Sequence, residues 1–391
     1  AALLGAGHPL EIVFTGGGTE SDNLGVAGPV LAGGRSGGVV TSAVEHEAVL
    51  ESARFLGRLG HPVEVVGVDR EGRVDPERVA AVAGPQTAVV SVMAANNETG
   101  VIQPVAAIAA AARQRAPQAV IHTDAVQAFG SEPVDAPSLG TDLVTLASHK
   151  VGGPKGVGLL WARPGIELEP VLHGGGQEGG RRSGTHDVAG IVGMVAALES
   201  AAAGRDRFRR VVSEARRRFE GLLAGVGAIP TVGTGRLVQH SHLRIPGVRA
   251  ESLLVRLDRA GVAASAGSAC QSGAVETSHV LAAMGMDPGE AAECVRFTFG
   301  WTTTAAEAGE AAVLVTAEVE EEQPSLQLVG EVRAFDTVSV SPEVAGTIDA
   351  VKVEVGDRVR AEQPLAEVDR STFKIYLQQA EANLAAANAN L

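Results

Sequence analysis

The sequence predicts an α/β protein built on a mainly parallel sheet, and three observations carry that expectation. Short runs rich in Val, Ile and Thr alternate with Ala-rich helical stretches from about residue 11 to residue 161. The runs are apolar along nearly their whole length, which suits strands buried on both faces beneath covering helices. The unusual polar residues stand at the ends of the runs, where parallel sheets gather their ligands.

Strands are expected over 11–15, 38–42, 63–68, 87–94, 119–123, 143–147 and 157–161, a seven-stranded sheet, with helices such as 46–59, 75–83 and 105–115 between them. A glycine-rich loop follows at 165–184, then a long helix over 187–223. Residues 233–316 have their own strand–helix–strand alternation and read as a smaller α/β domain. The large domain is accordingly placed at 1–186, and the long helix with the small domain at 187–317. The acidic stretch EVEEEQPS reads as a linker over 318–325. Beyond it, 326–370 shows short strands with turn signals at Ser341-Pro342, Gly346 and Gly356-Asp357, and 371–391 is an Ala-, Gln- and Asn-rich amphipathic helix. The chain opens at Ala1 without Met and reads as an N-terminally shortened start.

With 391 residues, 45% hydrophobic and 20% charged, the chain falls among globular proteins large enough for two or three domains. Only 3% are aromatic, so Val, Leu, Ile and Ala must form the core. A net charge of −14 argues against nucleic acid or an anionic membrane as a partner, because both favour basic surfaces. The apolar stretches are interrupted short of a membrane span. Cys270 and Cys294 alone make no disulfide framework and point to a reducing, cytoplasmic setting.

Four stretches bear chemistry-capable residues. In EIVFTGGGTESDN (11–23) a strand runs into three glycines before Thr19 and Glu20 open a helix, which forms an anion site or, more plainly, a tight turn capped by Thr19. The spacing fits neither a dinucleotide fingerprint nor a Walker loop. In HTDAVQ (122–127), Asp124 ends a strand and either pairs with a protonated ring nitrogen or caps the next helix. In LASHKVGGPKGVG (146–158), Lys150 follows a buried-looking strand and adjoins His149, and is either a lysine whose pKa an apolar, cation-rich pocket lowers toward imine formation or an ordinary surface-loop lysine. Lys155 competes with it, although Pro-Lys-Gly suggests a turn. In ASAGSACQSG (264–273), Cys270 lies among small residues, as an accessible thiol would, whereas Cys294 in AAECVRF reads as a packing cysteine. His240 and His242 share one strand face with no third ligand in view, so a strand-edge polar pair is preferred to a metal site.

In combination and in this order, these features resemble the cysteine desulfurases, which belong to the class V aminotransferase group of fold type I pyridoxal-phosphate enzymes. The resemblance covers roughly residues 1–316 and rests on FTGGGTESDN, EHEAVL, NNETGVIQP, HTDAVQ, SHKVGGPKGVG, GGGQEGGRRSGT, SAGSACQSG and VRFTFG. It implies pyridoxal 5'-phosphate as cofactor, Lys150 as the Schiff-base lysine and Cys270 as the sulfur-accepting nucleophile. Gly18, Thr19 and His149 are implied to hold the phosphate, with Thr185 reaching from the neighbouring subunit of a homodimer. His46 would stack on the ring, Asp124 pair with its nitrogen and Gln127 with its phenolic oxygen. Asn97 would adjoin the substrate and Arg296 grip its carboxylate. The implied reaction is L-cysteine to L-alanine, a sulfurtransfer through a persulfide on Cys270 to an acceptor or iron–sulfur scaffold protein. A selenocysteine lyase and a desulfurase-derived chain without activity are the alternatives within the group.

The sequence also departs from the family. The family's Ser-x-His-Lys reads Ala147-Ser148-His149-Lys150, which shifts the hydroxyl by one residue and, on a strand, to the other face. Gln-Glu-Arg-Gly reads Gln177-Glu178-Gly179-Gly180, with Arg181 and Arg182 nearby. The family's Asp-His-Ala-Ala-Thr-Thr-like N-terminal stretch is missing. Residues 326–391 resemble instead the start of an efflux-pump membrane-fusion adaptor, part of a lipoyl-like domain and the first helix of its hairpin, without a lysine at the 341–347 turn. An adaptor whose identity lies there is the reading of a different class, and it leaves the Lys, Asp, His and Cys constellation unexplained.

Overall fold

The computed structural model describes residues 1–32, 37–267 and 278–322, and in the C-terminal segment 348–352, 360, 363 and 366–368. In its first half, strands and helices alternate as β1 (Ile12–Thr15), α1 (Gly18–Leu31), β2 (Gly38–Ser42), α2 (Glu47–Arg58), β3 (Val63–Val66), α3 (Pro76–Val82) and β4 (Thr87–Ser91). The order continues with α4 (Val105–Arg115), β5 (Val120–Asp124), α5 (Ala136–Leu139), β6 (Leu143–Ala147) and β7 (Gly158–Ala162). Every residue of β2, β5, β6 and β7 is buried, which is why their sequences show no in-out alternation, and in β5 the buried residues include His122, Thr123 and Asp124.

The seven strands form one sheet in the order β1-β7-β6-β5-β4-β2-β3. Five neighbours run parallel from β6 to β3, and β7 is antiparallel to both β6 and β1, so β1 points with the other five. The mainly parallel seven-stranded sheet expected from sequence is therefore present. β3 stands at the edge, and its Glu64 and Val65 are exposed accordingly. The strand expected over 87–94 leaves regular pairing at Ser91, although the Ala94 amide still reaches the Asp124 carbonyl at 2.7 Å. The chain then turns at Asn96, whose Oδ1 accepts from the amides of Glu98 (2.9 Å) and Thr99 (2.8 Å).

On α2 the buried Val49, Leu50, Ala53 and Leu56 recur at helical spacing, with Glu51, Arg54 and Arg58 outside. The 36-residue α6 (Val188–Leu223) joins two cores. Its Met194, Leu198 and Ala201 pack with β6 and β7, while Phe208, Val212, Ala215, Phe219 and Leu223 enter a second core. That second core is completed by β9 (His240–Arg244), α7 (Ala250–Arg259), β10 (Cys294–Thr298) and α10 (Ala305–Glu322), with the short β8 (Ile229–Pro230) paired to β9, while α8 (His279–Ala283) and α9 (Pro288–Ala291) pack with Val44, Val101 and Val232 in a further cluster. Phe219 meets the Phe297 ring at 4.8 Å between centroids.

Three differences from the sequence reading appear. Residues 318–322, expected in a linker, complete the last turns of α10. β9 is the middle strand of the antiparallel β10-β9-β8 sheet and not an edge strand, although β8 pairs only with its Leu243 and Arg244. One helix among the described residues, α6 with its following turn, is long and apolar enough by composition to cross a membrane, where none was expected. Its Met194, Leu198 and Ala201 are nevertheless buried in the core beside the large sheet. The chain divides into two units, 1–325 and 326–391. In the second, β11 (Ile348–Val351) and β12 (Ala366–Val368) form an antiparallel pair.

Candidate active site

Because β1, β2, β4, β5 and β6 point the same way, the segments leaving their carboxyl ends gather on one side of the sheet. They carry Gly16–Thr19, His46, Asn97, Asp124 and Lys150 respectively. These segments are far apart in sequence and are brought to one side of the sheet by the strand order.

The glycine turn after β1 is shaped for close approach. Gly17, with φ of 151°, caps α1 in a conformation that suits glycine, and Gly158 abuts it so tightly that a Cβ would fall 2.5 Å from the Gly17 carbonyl carbon. The first intrahelical bond runs from the Ser21 amide to the Gly17 carbonyl, which leaves the N–H groups of Gly18, Thr19 and Glu20 at the positive helix start. Glu20 turns back to accept from the Gly16 amide at 2.7 Å, and Arg182 offsets its charge at 2.8 Å. A cavity of about 810 Å³ opens here, lined among others by Gly18, Thr19, His149, Lys155 and Gly156. Lys155 does sit in a turn, as expected, and contributes positive charge to this cavity.

The displaced serine is buried, and its Oγ has no hydrogen-bond partner among the described residues. Ala147 takes the facing position instead, 3.3 Å from where a Cβ on Gly18 would stand. Of the arginines near the altered 177–180 stretch, Arg182 pairs with Glu20 and Arg181 donates to the Leu10 carbonyl at 2.7 Å.

Asp124 is the electrostatic centre. It is buried at the last position of β5, and its Oδ1 accepts from the Val126 amide at 2.8 Å. Burial raises its pKa, while that hydrogen bond, His46 and Lys150 all favour the carboxylate. His46 caps α2 by accepting from the Ala48 amide through Nδ1 at 3.1 Å. Burial lowers the pKa of His149, helped by the nearby charges of Lys150 and Lys155. Lys150 also faces a second cavity of about 220 Å³, together with Asn97, Gln127, His240, Arg296 and Trp301. There Arg296 Nη1 donates to the Asn97 carbonyl at 2.9 Å. Gln127 belongs to this cavity wall, and its carbonyl accepts from Gln239 at 3.3 Å.

Sequence reasoning missed the acids behind Asp124. Asp22 and Glu45 are both buried. Burial raises the Asp22 pKa strongly and the Asp124 charge adds to it, while burial carries Glu45 up to about 8 against its hydrogen bonds from Ser42 and Met93. The signal was local, since both stand in the quoted stretches FTGGGTESDN and EHEAVL, but their closeness to Asp124 was not.

The remaining expectations divide. Thr185 is exposed in the loop before α6. Cys270 lies outside the described residues. Cys294 is the packing cysteine expected, with burial pushing its thiol up to about 12. The two histidines are buried rather than open. Burial and Arg296 lower His240 to about 3, and His242 Nδ1 meets Thr231 Oγ1 at 2.8 Å. No metal-holding cluster of His, Cys, Asp or Glu occurs among the described residues.

The aminotransferase class-V family matches residues 1–310. Within that class, a cysteine desulfurase of Gluconacetobacter diazotrophicus is 42% identical over 310 residues, covering 78% of this chain and 77% of the relative. The cysteine desulfurase NifS of Azotobacter vinelandii is 40% identical over 305 residues, covering 77% and 75%. Among solved structures, a NifS-like protein shares 33% identity with a TM-score of 0.75, covering 82% of this chain and 84% of its own. SspA in complex with cysteine shares 32% with a TM-score of 0.66, covering 76% and 84%. The chain belongs to the cysteine desulfurase family. None of these relatives bears on the adaptor resemblance of 326–391.

The family implies pyridoxal phosphate, and the residues present fit it. A helix start with unbonded amides and a glycine cradle suits a phosphate, while a buried carboxylate favoured by Lys150 and His46 suits a protonated ring nitrogen.

Proposed function

We propose that this chain takes the sulfur of L-cysteine onto Cys270 and releases L-alanine. The observation that carries the reading is the convergence of Lys150 and His46 on buried Asp124, with Arg296 in the same cavity as Lys150. The cofactor would be held through its phosphate by Gly18, Thr19 and His149, with Thr185 of a second subunit, and covalently by Lys150. His46 would lie against its ring, Asp124 at its nitrogen and Gln127 at its phenolic oxygen. When bound, that group supplies an electron sink for the carbon bearing the substrate's amino group.

The chain's own groups do the rest. Arg296 grips the substrate carboxylate with its planar guanidinium, steadied by the Asn97 carbonyl. Lys150 moves protons at the substrate carbons. The Cys270 thiolate attacks the substrate sulfur; an S–S bond forms, the C–S bond breaks, and its electron pair stays on the carbon that becomes the alanine methyl after protonation. The resulting persulfide passes sulfur to an acceptor or iron–sulfur scaffold protein. A reduced Cys270 is required, in keeping with the cytoplasmic setting expected from the cysteine count. The SspA relative solved with cysteine supports the substrate assignment. The adaptor-like reading of 326–391 rests on sequence and on the β11–β12 pair alone.

The test is spectroscopic and kinetic. The cofactor-loaded chain should show a visible absorbance band that Lys150→Ala loses, and should release alanine and sulfide from L-cysteine under reductant. Cys270→Ser should abolish sulfide release while keeping the band. A colourless chain with cofactor added, or full activity in Cys270→Ser with a physiological acceptor, would overturn the proposal. Relative rates on L-cysteine and L-selenocysteine decide the substrate preference.

A further inference from the structure

Glu98 belongs to none of the roles above, yet it is buried at 1% exposure beside the residues that flank the Cys270 segment. The Asn96 side chain fixes the turn that carries it, accepting from the amides of Glu98 and Thr99 and from Thr99 Oγ1 at 3.0 Å. Ser278, the first described residue after the segment 268–277, donates from Oγ to Glu98 Oε2 at 2.7 Å. Gly267, the last before it, lies so near that a Cβ there would stand 2.7 Å from Glu98 Oε1, and its φ of 33° disfavours a side chain. One carboxylate thus meets both ends of the segment. Its Oε1 accepts no hydrogen bond among the described residues, with His242 Nε2 at 3.6 Å.

The same flanks are also tied to the substrate cavity. Ser265 exchanges two backbone hydrogen bonds with Arg296, at 3.0 and 2.7 Å. The His279 Nε2 reaches the Glu45 carbonyl at 3.0 Å, next to His46.

We infer that Glu98 is a positioning residue for sulfur transfer, its carboxylate clamping both ends of the segment that bears Cys270 to the turn that presents Asn97. The inference rests on the function proposed above. Fixing the two ends of a tether raises the effective concentration of the group it carries, and releasing one end lowers it without touching the groups that bind substrate.

The experiment uses the full cofactor-loaded chain as wild type, Glu98→Ala, Glu98→Gln and Ser278→Ala. L-Alanine, the proposed product, should perturb the cofactor absorbance with affinity within about twofold of wild type, whereas persulfide on Cys270 should form about tenfold or more slowly in Glu98→Ala and Ser278→Ala. Glu98→Gln, which keeps an oxygen to accept from Ser278, should recover most of the rate. Amide exchange of peptides covering 260–267 and 278–284 should quicken in Glu98→Ala while the 188–223 helix stays unchanged. Equal loss of alanine affinity and persulfide rate, or unaltered exchange at both flanks, would overturn the clamp. Should wild type form no persulfide on Cys270, the functional proposal fails instead, and the exchange data alone decide whether Glu98 holds the two ends.

Discussion

Glu45 sits one residue before His46, fully buried, and its replacement by Gln gives a sharp test of the electrostatics behind the site. Its Oε1 accepts from Ser42 Oγ at 2.5 Å and from the Met93 amide at 3.0 Å. Its Oε2 has no partner among the described residues. Burial dominates these hydrogen bonds, and its pKa rises from 4.5 to about 8. A carboxyl raised on folding contributes stability that is fully present below the unfolded pKa and is lost as pH rises through the folded one. Between the two values the native chain holds a proton that the unfolded chain has released. At roughly 1.4 kcal/mol per pK unit, about 2–3 kcal/mol of this stability should disappear between about pH 5.5 and about pH 8.5. Glu45→Gln keeps the shape without the titration. Urea unfolding of the cofactor-free chain at both pH values, for both proteins, reads the contribution of Glu45 together with its coupling to Asp22 and Asp124, because the Glu45 charge itself raises the Asp22 pKa. The wild type should lose more stability than Glu45→Gln on going to the higher pH. Equal losses in the two proteins would refute the buried-acid account.

Two further outcomes are expected. Gly158→Ala forces a methyl to within 2.5 Å of the Gly17 carbonyl carbon, backbone that cannot swing aside. It should cost about 1–3 kcal/mol of stability and weaken cofactor binding, read by denaturant midpoint and by titration of the absorbance band. Cys294, with its thiol held at about 12 by burial, should resist iodoacetamide in the native chain at neutral pH. Mass spectrometry should find Cys294 unlabelled in the native chain and labelled after unfolding. Rapid native labelling of Cys294 would contradict its burial.

Much of the site was legible because its signals are local. Asp124 and Lys150 announce themselves by ending apolar runs, and the glycines before Thr19 by interrupting one. Cys294 was readable as a core residue from its apolar neighbours. Other features were hidden for the opposite reason. The His240 and His242 pair looked like an edge because the short β8, only Ile229–Pro230, gives almost no pattern to detect. The last turns of α10 looked like a linker because an acidic run suits solvent in a coil or on a helix face alike. Glu98 stands in the quoted stretch NNETGVIQP, yet nothing local tells that its carboxylate meets Ser278 across 180 residues of chain.

By itself the sequence determined which segments become strands and helices, and in what order the glycine turn, His46, Asp124, Lys150 and Cys270 occur. Periodicity reports how each segment is buried, and that information stays within the segment. The tertiary structure alone decided the order β1-β7-β6-β5-β4-β2-β3, and with it the gathering of five strand ends on one side. It also decided that Asp22, Glu45 and Asp124 share one buried neighbourhood. Electrostatic interaction depends on distance in space and on exclusion of water, and neither is set until segments far apart in the chain have packed together.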